Sequence, residues 1–156
     1  MAKKCDHTSV GMLVHKGDTL LLIERMKPPV GFAPPAGHVD DFGSFEEAAR
    51  QELKEEVGLD MKGLTLLAEG RRENPCRRED GNWHYWKIYE LNADGTVQRS
   101  ESETKQAHFY TRNDLLSLAD KTEKYIRGSI SQTDWERSPG LEPVWYEWLK
   151  ELKIIP

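Results

Sequence analysis

Three glutamates, Glu52, Glu55 and Glu56, stand at spacings that can bring their carboxylates together. At roughly 100° per residue of α-helix, all three fall within an arc of roughly 100° on one helix face. Arg50 and Lys54 project to the far side, so neither can neutralise the acids by local pairing. Oxygen ligands gathered in this way suit a hard divalent cation such as Mg²⁺, which keeps waters that can serve as nucleophiles.

The charge distribution is compatible with a cation site at this helix. Positions 40–60 carry eight acidic and two basic residues, a formal charge of −6 within a chain of net charge −5. The overall acidic balance argues against long nucleic acid, whereas a concentrated acidic cluster in nearly neutral surroundings favours a cation site. A solvated acidic face is the alternative interpretation of the carboxylate spacing alone. An EF-hand is excluded because the acids lie within a helix and not in a calcium-binding loop.

The helix that must position these acids has clear sequence boundaries. Ser44 followed three residues later by Glu47 forms a capping box, and Gly58 suits the position just past a helix end. These signals predict a helix from about Phe45 to Val57. Its apolar positions form a separate stripe that can pack on a sheet.

Apolar and aromatic runs predict the other elements. The predicted strands are residues 8–15, 19–25, 64–72, 83–91 and 106–111, with a short extended piece at 36–40. We expect one helix from about 112 through at least 119, and a last helix from Pro143 with Trp145 and Trp148 on one stripe. The order of elements predicts an α/β sandwich around a mixed β-sheet.

The size and composition bound the remaining possibilities. A chain of 156 residues fits a single domain, 1–156, with a C-terminal helical segment from about 112. No apolar run approaches the ~20 residues that a membrane span needs, and the N-terminus does not resemble a signal peptide, so we expect a cytoplasmic protein. Cys5 and Cys76 are predicted to be reduced thiols. Cys5 with His7 would supply half a zinc site, but no second pair stands at ligand spacing.

Residues 37–59 resemble the signature of the Nudix hydrolases, Gx5Ex7REUxEExGU, in which U is a bulky aliphatic residue. The chain keeps Gly37 and the run from Glu52 to Leu59 in register. The preceding Gly31 to Gly37 segment resembles the entry of that family into its motif. The resemblance implies a Nudix-type α/β/α sandwich and a pyrophosphohydrolase that acts on acid anhydrides.

Two signature positions depart from the family pattern. Gly43 stands where the family has its first Glu, and Gln51 stands where it has the Arg. In typical members those two groups can pair and help to hold the following Glu, so their loss removes support for Glu52. Arg50 is rotated by roughly 100° and cannot take the missing role.

The resemblance also implies a set of site residues. It assigns the metal to Glu52, Glu55 and Glu56 with the backbone carbonyl of Ala36, and the cation would be Mg²⁺, with Mn²⁺ as an alternative. The catalytic candidates are Glu55, Glu52 and the loop acid Glu103, with the choice of general base left open.

Arginines are the candidates for binding phosphate, because guanidinium groups suit phosphate oxygens. Arg25, Arg71 and Arg77 are the predicted substrate-binding residues. Pro75 stands sixteen residues after Leu59, a spacing seen in members that cleave ADP-ribose. We expect His38 and His84 to be structural or exposed, since nothing in the sequence pairs them with a nucleophile.

These features predict hydrolysis of a diphosphate bond in a nucleoside diphosphate linked to another moiety, or in a nucleoside triphosphate. The partner would be a small-molecule nucleotide, with no membrane, and a homodimer is left open. The alternative is a catalytically weak or inactive Nudix-fold module that binds a nucleotide or a partner. A third interpretation is an interaction protein that docks a partner through the Trp145 and Trp148 stripe.

Overall fold

The computed structural model describes residues 3–156. This part of the chain contains seven strands and four α-helices. They are β1 (Thr8–Lys16), β2 (Thr19–Arg25), β3 (Phe32–Ala33), β4 (Ala36–Gly37), α1 (Phe45–Val57), β5 (Asp60–Arg72), β6 (His84–Asp94), β7 (Thr104–Tyr110), α2 (Arg112–Ile126), α3 (Gln132–Arg137) and α4 (Pro143–Glu151). A 3₁₀ turn, Asp40–Phe42, links β4 to α1.

The strands form one mixed sheet in the order β3-β2-β1-β6-β5, with β4 paired to β1 and β7 paired to β2. Strands β1 and β6 run parallel, with Thr8 opposite Tyr85 and Val14 opposite Leu91. The other pairings are antiparallel. The predicted α/β fold with a mixed sheet is therefore confirmed.

Side chains of β1 and β2 alternate between two apolar cores, one on each face of the sheet. Met12 and Leu21 pack with α1, whereas Leu13 and Leu20 pack with α2 and α4. This alternation follows from the two-residue period of a strand buried on both faces. The result is a helix–sheet–helix sandwich.

Local signals fix helix α1 at its predicted ends. The Ser44 hydroxyl oxygen accepts a hydrogen bond from the Glu47 N–H at 3.0 Å. Gly58 has φ of 72°, and its N–H donates to the Lys54 carbonyl at 3.0 Å. A left-handed residue at this position is accessible to glycine at little cost, so the helix ends there.

Some elements differ from the predictions. The extended piece at 36–40 is shorter, because Asp40 already starts the 3₁₀ turn, and α3 was not predicted. The Trp145 and Trp148 side chains are 1% and 0% exposed, so this stripe packs in the chain's own core and is not a docking surface. Within residues 3–156, no helix is both long and apolar enough to span a membrane.

Candidate functional site

A cleft of ≈ 230 Å³ opens between β4 and the C-terminal half of α1. Its wall contains most of the residues singled out from the sequence. Those that line it are Arg25, Ala36, Glu52, Glu56, Arg77 and Glu103. The polar character of this group is suited to a charged ligand.

Helix α1 directs Glu56 into the wall of the cleft. Its side chain is buried, and its carboxylate Oε1 accepts the Ala36 N–H at 3.1 Å. Ala36 belongs to the short strand β4, which pairs with β1. The Glu56 carboxylate therefore links helix α1 to strand β4 through a hydrogen bond.

Glu52 lies against Gly37, and this contact accounts for the glycine at that position. A Cβ added to Gly37 would lie 2.4 Å from Cδ and 2.6 Å from Cγ of Glu52. Real Cβ atoms essentially never approach other atoms so closely. The absence of a side chain at position 37 thus makes the space that the Glu52 carboxyl group occupies.

Burial and mutual repulsion hold both carboxyl groups toward the protonated form. Burial, with the charges of Glu55 and Glu103, raises the pKa of Glu52 to about 8. Burial and the neighbouring Glu52 raise the pKa of Glu56 well above its ordinary value, and Arg25 partly opposes this. A bound cation would stabilise the charged forms of these two desolvated neighbouring acids.

The loop before β7 brings Glu103 to the same cleft. The Gln98 N–H donates to the Val57 carbonyl and the Ser100 N–H to the Glu56 carbonyl, each at 2.8 Å. These two bonds tie the loop to the C-terminal end of α1. Thr104, which is fully buried, then starts β7 directly after Glu103.

The arginines divide into one group at the cleft and one away from it. Arg25 lines the cleft, and its Nε donates to the Pro29 carbonyl at 2.6 Å, which fixes the side chain. Arg77 also lines the cleft and is exposed. Arg71 does not line it, because its Nε donates to Glu73 at 2.8 Å and its guanidinium stacks over Trp83.

Glu55 has a different environment from the other two signature acids. It is exposed and is absent from the cleft wall, although its charge reaches Glu52. The three acids share one helix face, as the spacing predicts, but they differ in burial. Glu55 lies at the rim of the site.

The two residues that depart from the signature have different local surroundings. Gly43 has φ of 92°, a left-handed conformation that disfavours glutamate. The Gln51 Nε2 donates a hydrogen bond to Glu47 at 3.1 Å. Neither residue contributes a charge to Glu52.

Glu142, a buried acid of the cleft wall, was not anticipated from the sequence. It is the N-cap residue of α4, and its Oε2 lies 3.9 Å from Nε of Arg25. Burial raises the pKa of Glu142, and Arg25 opposes this. No motif marks this position, because Glu142 reaches the cleft only through the packing of α4.

Comparison with known proteins identifies the family. The sequence profile of the NUDIX domain matches residues 6–131, most of the 156-residue chain. The chain belongs to the Nudix family. The predictions of a Nudix fold and of a Nudix-type pyrophosphohydrolase are thereby confirmed.

Curated Nudix relatives include two that carry names of nucleotide phosphatases. An ADP-ribose pyrophosphatase of Methanocaldococcus jannaschii is 34% identical over 122 residues, which is 76% of this chain and 70% of that protein. An 8-oxo-dGTP diphosphatase of Proteus vulgaris is 31% identical over 80 residues, 49% of this chain and 71% of that protein.

Solved Nudix structures share the fold at lower identity. The NUDIX hydrolase from Nitrosomonas europaea superposes with a TM-score of 0.64 at 14% identity, covering 94% of this chain and 88% of that chain. MutT NUDIX hydrolase from Burkholderia pseudomallei gives 0.60 at 21% identity, covering 69% of this chain and 84% of that chain. At these identities the comparison establishes the Nudix architecture alone.

Proposed function

We propose that this Nudix protein hydrolyses the diphosphate bond of a nucleoside diphosphate linked to another moiety, in a reaction that requires Mg²⁺ or Mn²⁺. The observation that carries the proposal is the meeting of Glu52 and Glu56 in a cleft that also holds Arg25. The relative from M. jannaschii, named as an ADP-ribose pyrophosphatase, makes ADP-ribose the first substrate to test.

The donor atoms of the cleft fit a hard divalent cation. Glu52 and Glu56 supply carboxylate oxygens, and their raised pKa values mean that proximity to a cation would relieve an unfavourable charge. Glu55 and the Ala36 carbonyl are the further ligands that the family resemblance implies. When bound, the cation would offset the charge of the diphosphate and acidify a water molecule.

The chain's own side chains would bind the substrate and move the proton. Arg25, fixed by its bond to Pro29, and Arg77 can each donate to phosphate oxygens at the cleft. Glu103 would accept a proton, and the bonds that tie its loop to the end of α1 support this role. Glu55, at the rim, is the alternative base. Arg71 would contact only a part of the substrate that extends beyond the cleft.

A nucleotide panel with product analysis tests this proposal. ADP-ribose, other nucleoside diphosphate conjugates and nucleoside triphosphates are incubated with the full chain in Mg²⁺, in Mn²⁺ and in EDTA. We expect ADP-ribose to yield AMP and ribose 5-phosphate in either cation and to remain intact in EDTA. Absence of turnover across the panel in both cations would contradict the proposal.

A nucleoside triphosphate is the second candidate substrate. The relative from P. vulgaris is named as an 8-oxo-dGTP diphosphatase, so the panel includes guanine nucleotides with and without an oxidised base. Release of pyrophosphate and a nucleoside monophosphate would favour this substrate class. The ratio of kcat/KM values between ADP-ribose and the triphosphates decides between them.

A binding module without turnover is the alternative function. It is motivated by Gly43 and Gln51, which remove the usual support of the Glu52 position. It predicts that ADP-ribose raises the melting temperature of the protein and is recovered intact afterwards. Turnover at rates that depend on Glu52 would exclude it.

A further inference from the structure

Four side chains with metal-binding atoms meet beside the cleft, and three of them are part of its lining. They are Cys5, His38, Cys76 and His84, and one ligand atom from each lies within 4.8 Å of all the others. The Cys5 Sγ is 3.5 Å from Nε2 of His38 and 3.4 Å from Nε2 of His84. The pairing of Cys5 with His7 considered from the sequence is not formed, because the His7 ring bonds to the Trp83 carbonyl and stacks on the indole.

We propose that Cys5, His38, Cys76 and His84 bind one Zn²⁺ ion as a structural site, separate from the cation of the acidic cleft. Ideal tetrahedral zinc with two sulfur and two nitrogen ligands places neighbouring ligand atoms about 3.3–3.8 Å apart. The two sulfur-to-nitrogen distances of Cys5 already fall in this range. Two thiolates and two imidazoles form a donor set typical of structural zinc.

Backbone N–H groups donate hydrogen bonds to both cysteine sulfurs. The His7 N–H donates to the Cys5 Sγ at 3.2 Å, and the Arg78 N–H donates to the Cys76 Sγ at 3.4 Å. In each case the donor lies two residues after the cysteine. Such donors stabilise negative charge on sulfur and orient it toward a metal.

Gly81 shows that the loop is shaped around the Cys76 sulfur. A Cβ at this position would lie 2.2 Å from the Cys76 Sγ. The Cys76 N–H also donates to the Gly81 carbonyl at 2.7 Å, which closes the loop. The loop therefore holds the sulfur on the side that faces Cys5.

The proposed ligands come from three chain segments, and for this reason sequence spacing did not reveal them. Cys5 precedes β1, His38 follows β4, and Cys76 and His84 belong to the β5–β6 connection and the start of β6. The segments are also joined through polar contacts around the ligands. The Cys5 N–H donates to the Glu79 carbonyl at 2.9 Å, and Arg78 forms two hydrogen bonds with Asp40 at 2.6 and 2.8 Å.

A zinc ion in this cluster would cross-link the three chain segments that carry its ligands. It would fix the loop that carries Arg77 next to the signature residue Gly37. Two metal-free arrangements compete with zinc binding. In one, the free thiols are hydrogen-bonded to the imidazoles, and in the other Cys5 and Cys76 form a disulfide.

Metal analysis and X-ray absorption at the zinc edge test the site on the wild-type chain of 156 residues. The protein is purified under reducing conditions without chelator, equilibrated with zinc and freed of excess. We expect about one zinc per chain, with two sulfurs at about 2.3 Å and two nitrogens at about 2.0 Å. A chain that retains no zinc, or a zinc shell without sulfur, would overturn the proposal, and so would a Cys5–Cys76 disulfide in the metal-free protein.

Matched variants assign the ligands and separate this site from the proposed catalytic one. Cys76→Ser and His84→Asn should lose the zinc, whereas His15→Asn, at an exposed histidine outside the cluster, should retain it. Glu52→Gln should keep zinc whether or not the chain hydrolyses nucleotides. Full zinc retention in Cys76→Ser would overturn the assignment. If a cysteine variant does not fold, the number of sulfur ligands around zinc in the wild-type protein decides whether the cysteines bind the metal.

Discussion

Glu52 and Glu56 differ from Glu55 in burial, although the three share one face of α1. Glu56 is bonded to the Ala36 N–H, Glu52 fills the space left by Gly37, and Glu55 is exposed. Their common helix face could be predicted from sequence because it depends only on helical geometry. The difference in burial could not be predicted, because it depends on how strand β4 packs against the helix.

Gly37→Ala tests whether the position of the Glu52 carboxyl group controls the rate. The new Cβ would displace this carboxyl group, and a misplacement of about 1 Å can lower a catalytic rate by about 10²-fold. We expect kcat to fall at least about tenfold, with the free energy of unfolding changed by less than about 1 kcal/mol because the displaced group is flexible. Steady-state kinetics and urea denaturation measure the two effects.

Gly63→Ala is the matched control for that substitution. A Cβ there would meet only the Asn92 side chain, at 3.8 Å, and we expect an unchanged rate. An unchanged rate in Gly37→Ala as well would contradict the role assigned to the Gly37 contact.

Gly43→Glu tests whether the missing signature glutamate can be restored. With φ of 92°, this backbone conformation disfavours any side chain, at a cost of about 1–3 kcal/mol. We expect Gly43→Glu to lower the free energy of unfolding by that amount in urea denaturation, and to bring no gain in rate even when combined with Gln51→Arg.

Gly43→Ala should show a similar loss of stability, because the backbone and not the carboxylate is the cause. A double variant that is as stable as the wild type and much faster would show instead that the natural site is compromised by these two positions.

At the scale of elements, helix α1 follows from its sequence because both caps are local. The Ser44 hydroxyl and the left-handed Gly58 act within one turn of the helix ends. Helix α3 could not be predicted from the sequence, because six residues are too few to show a helical period. The early start of β5 at Asp60 depends on pairing with Asp94, a contact that spacing along the chain does not reveal.

Glu142 at the start of α4 leads to a prediction about pH. Its folded-state pKa is raised by burial, so between the ordinary value of about 4.3 and the raised value the folded protein binds more protons than the unfolded chain. Stability contributed by this group is therefore lost as pH rises through that interval. As the pH rises above the ordinary glutamate pKa, we expect the free energy of unfolding of Glu142→Gln to increase relative to that of the wild type.

Urea denaturation at several pH values measures this trend. Glu90→Gln, at an exposed residue of β6, is the control and should show no such dependence on pH. A Glu142→Gln variant whose stability relative to the wild type falls with rising pH would contradict the predicted direction.

At the scale of the whole molecule, the sandwich brings opposite charges to one cleft. The acidic face of α1 lies on one side, and Arg25 and Arg77 reach the same space from β2 and from the β5–β6 connection. The acids could be located from sequence, since their motif is contiguous. Arg25 and Arg77 were also predicted as site residues. The positions of Glu142 and His84 in the cleft wall could not be predicted, because that wall is assembled from separate segments. The single-domain boundary, the homodimer and the cytoplasmic location stay predictions.

Turnover of ADP-ribose by wild type, Glu52→Gln and Glu90→Gln across a Mg²⁺ titration tests the central claim most directly. We expect wild-type and Glu90→Gln rates to rise from zero to the same plateau as Mg²⁺ increases, and the Glu52→Gln plateau to be lower by about 10²–10⁴-fold. Hydrolysis that persists in EDTA, or that is unchanged in Glu52→Gln, would contradict the account.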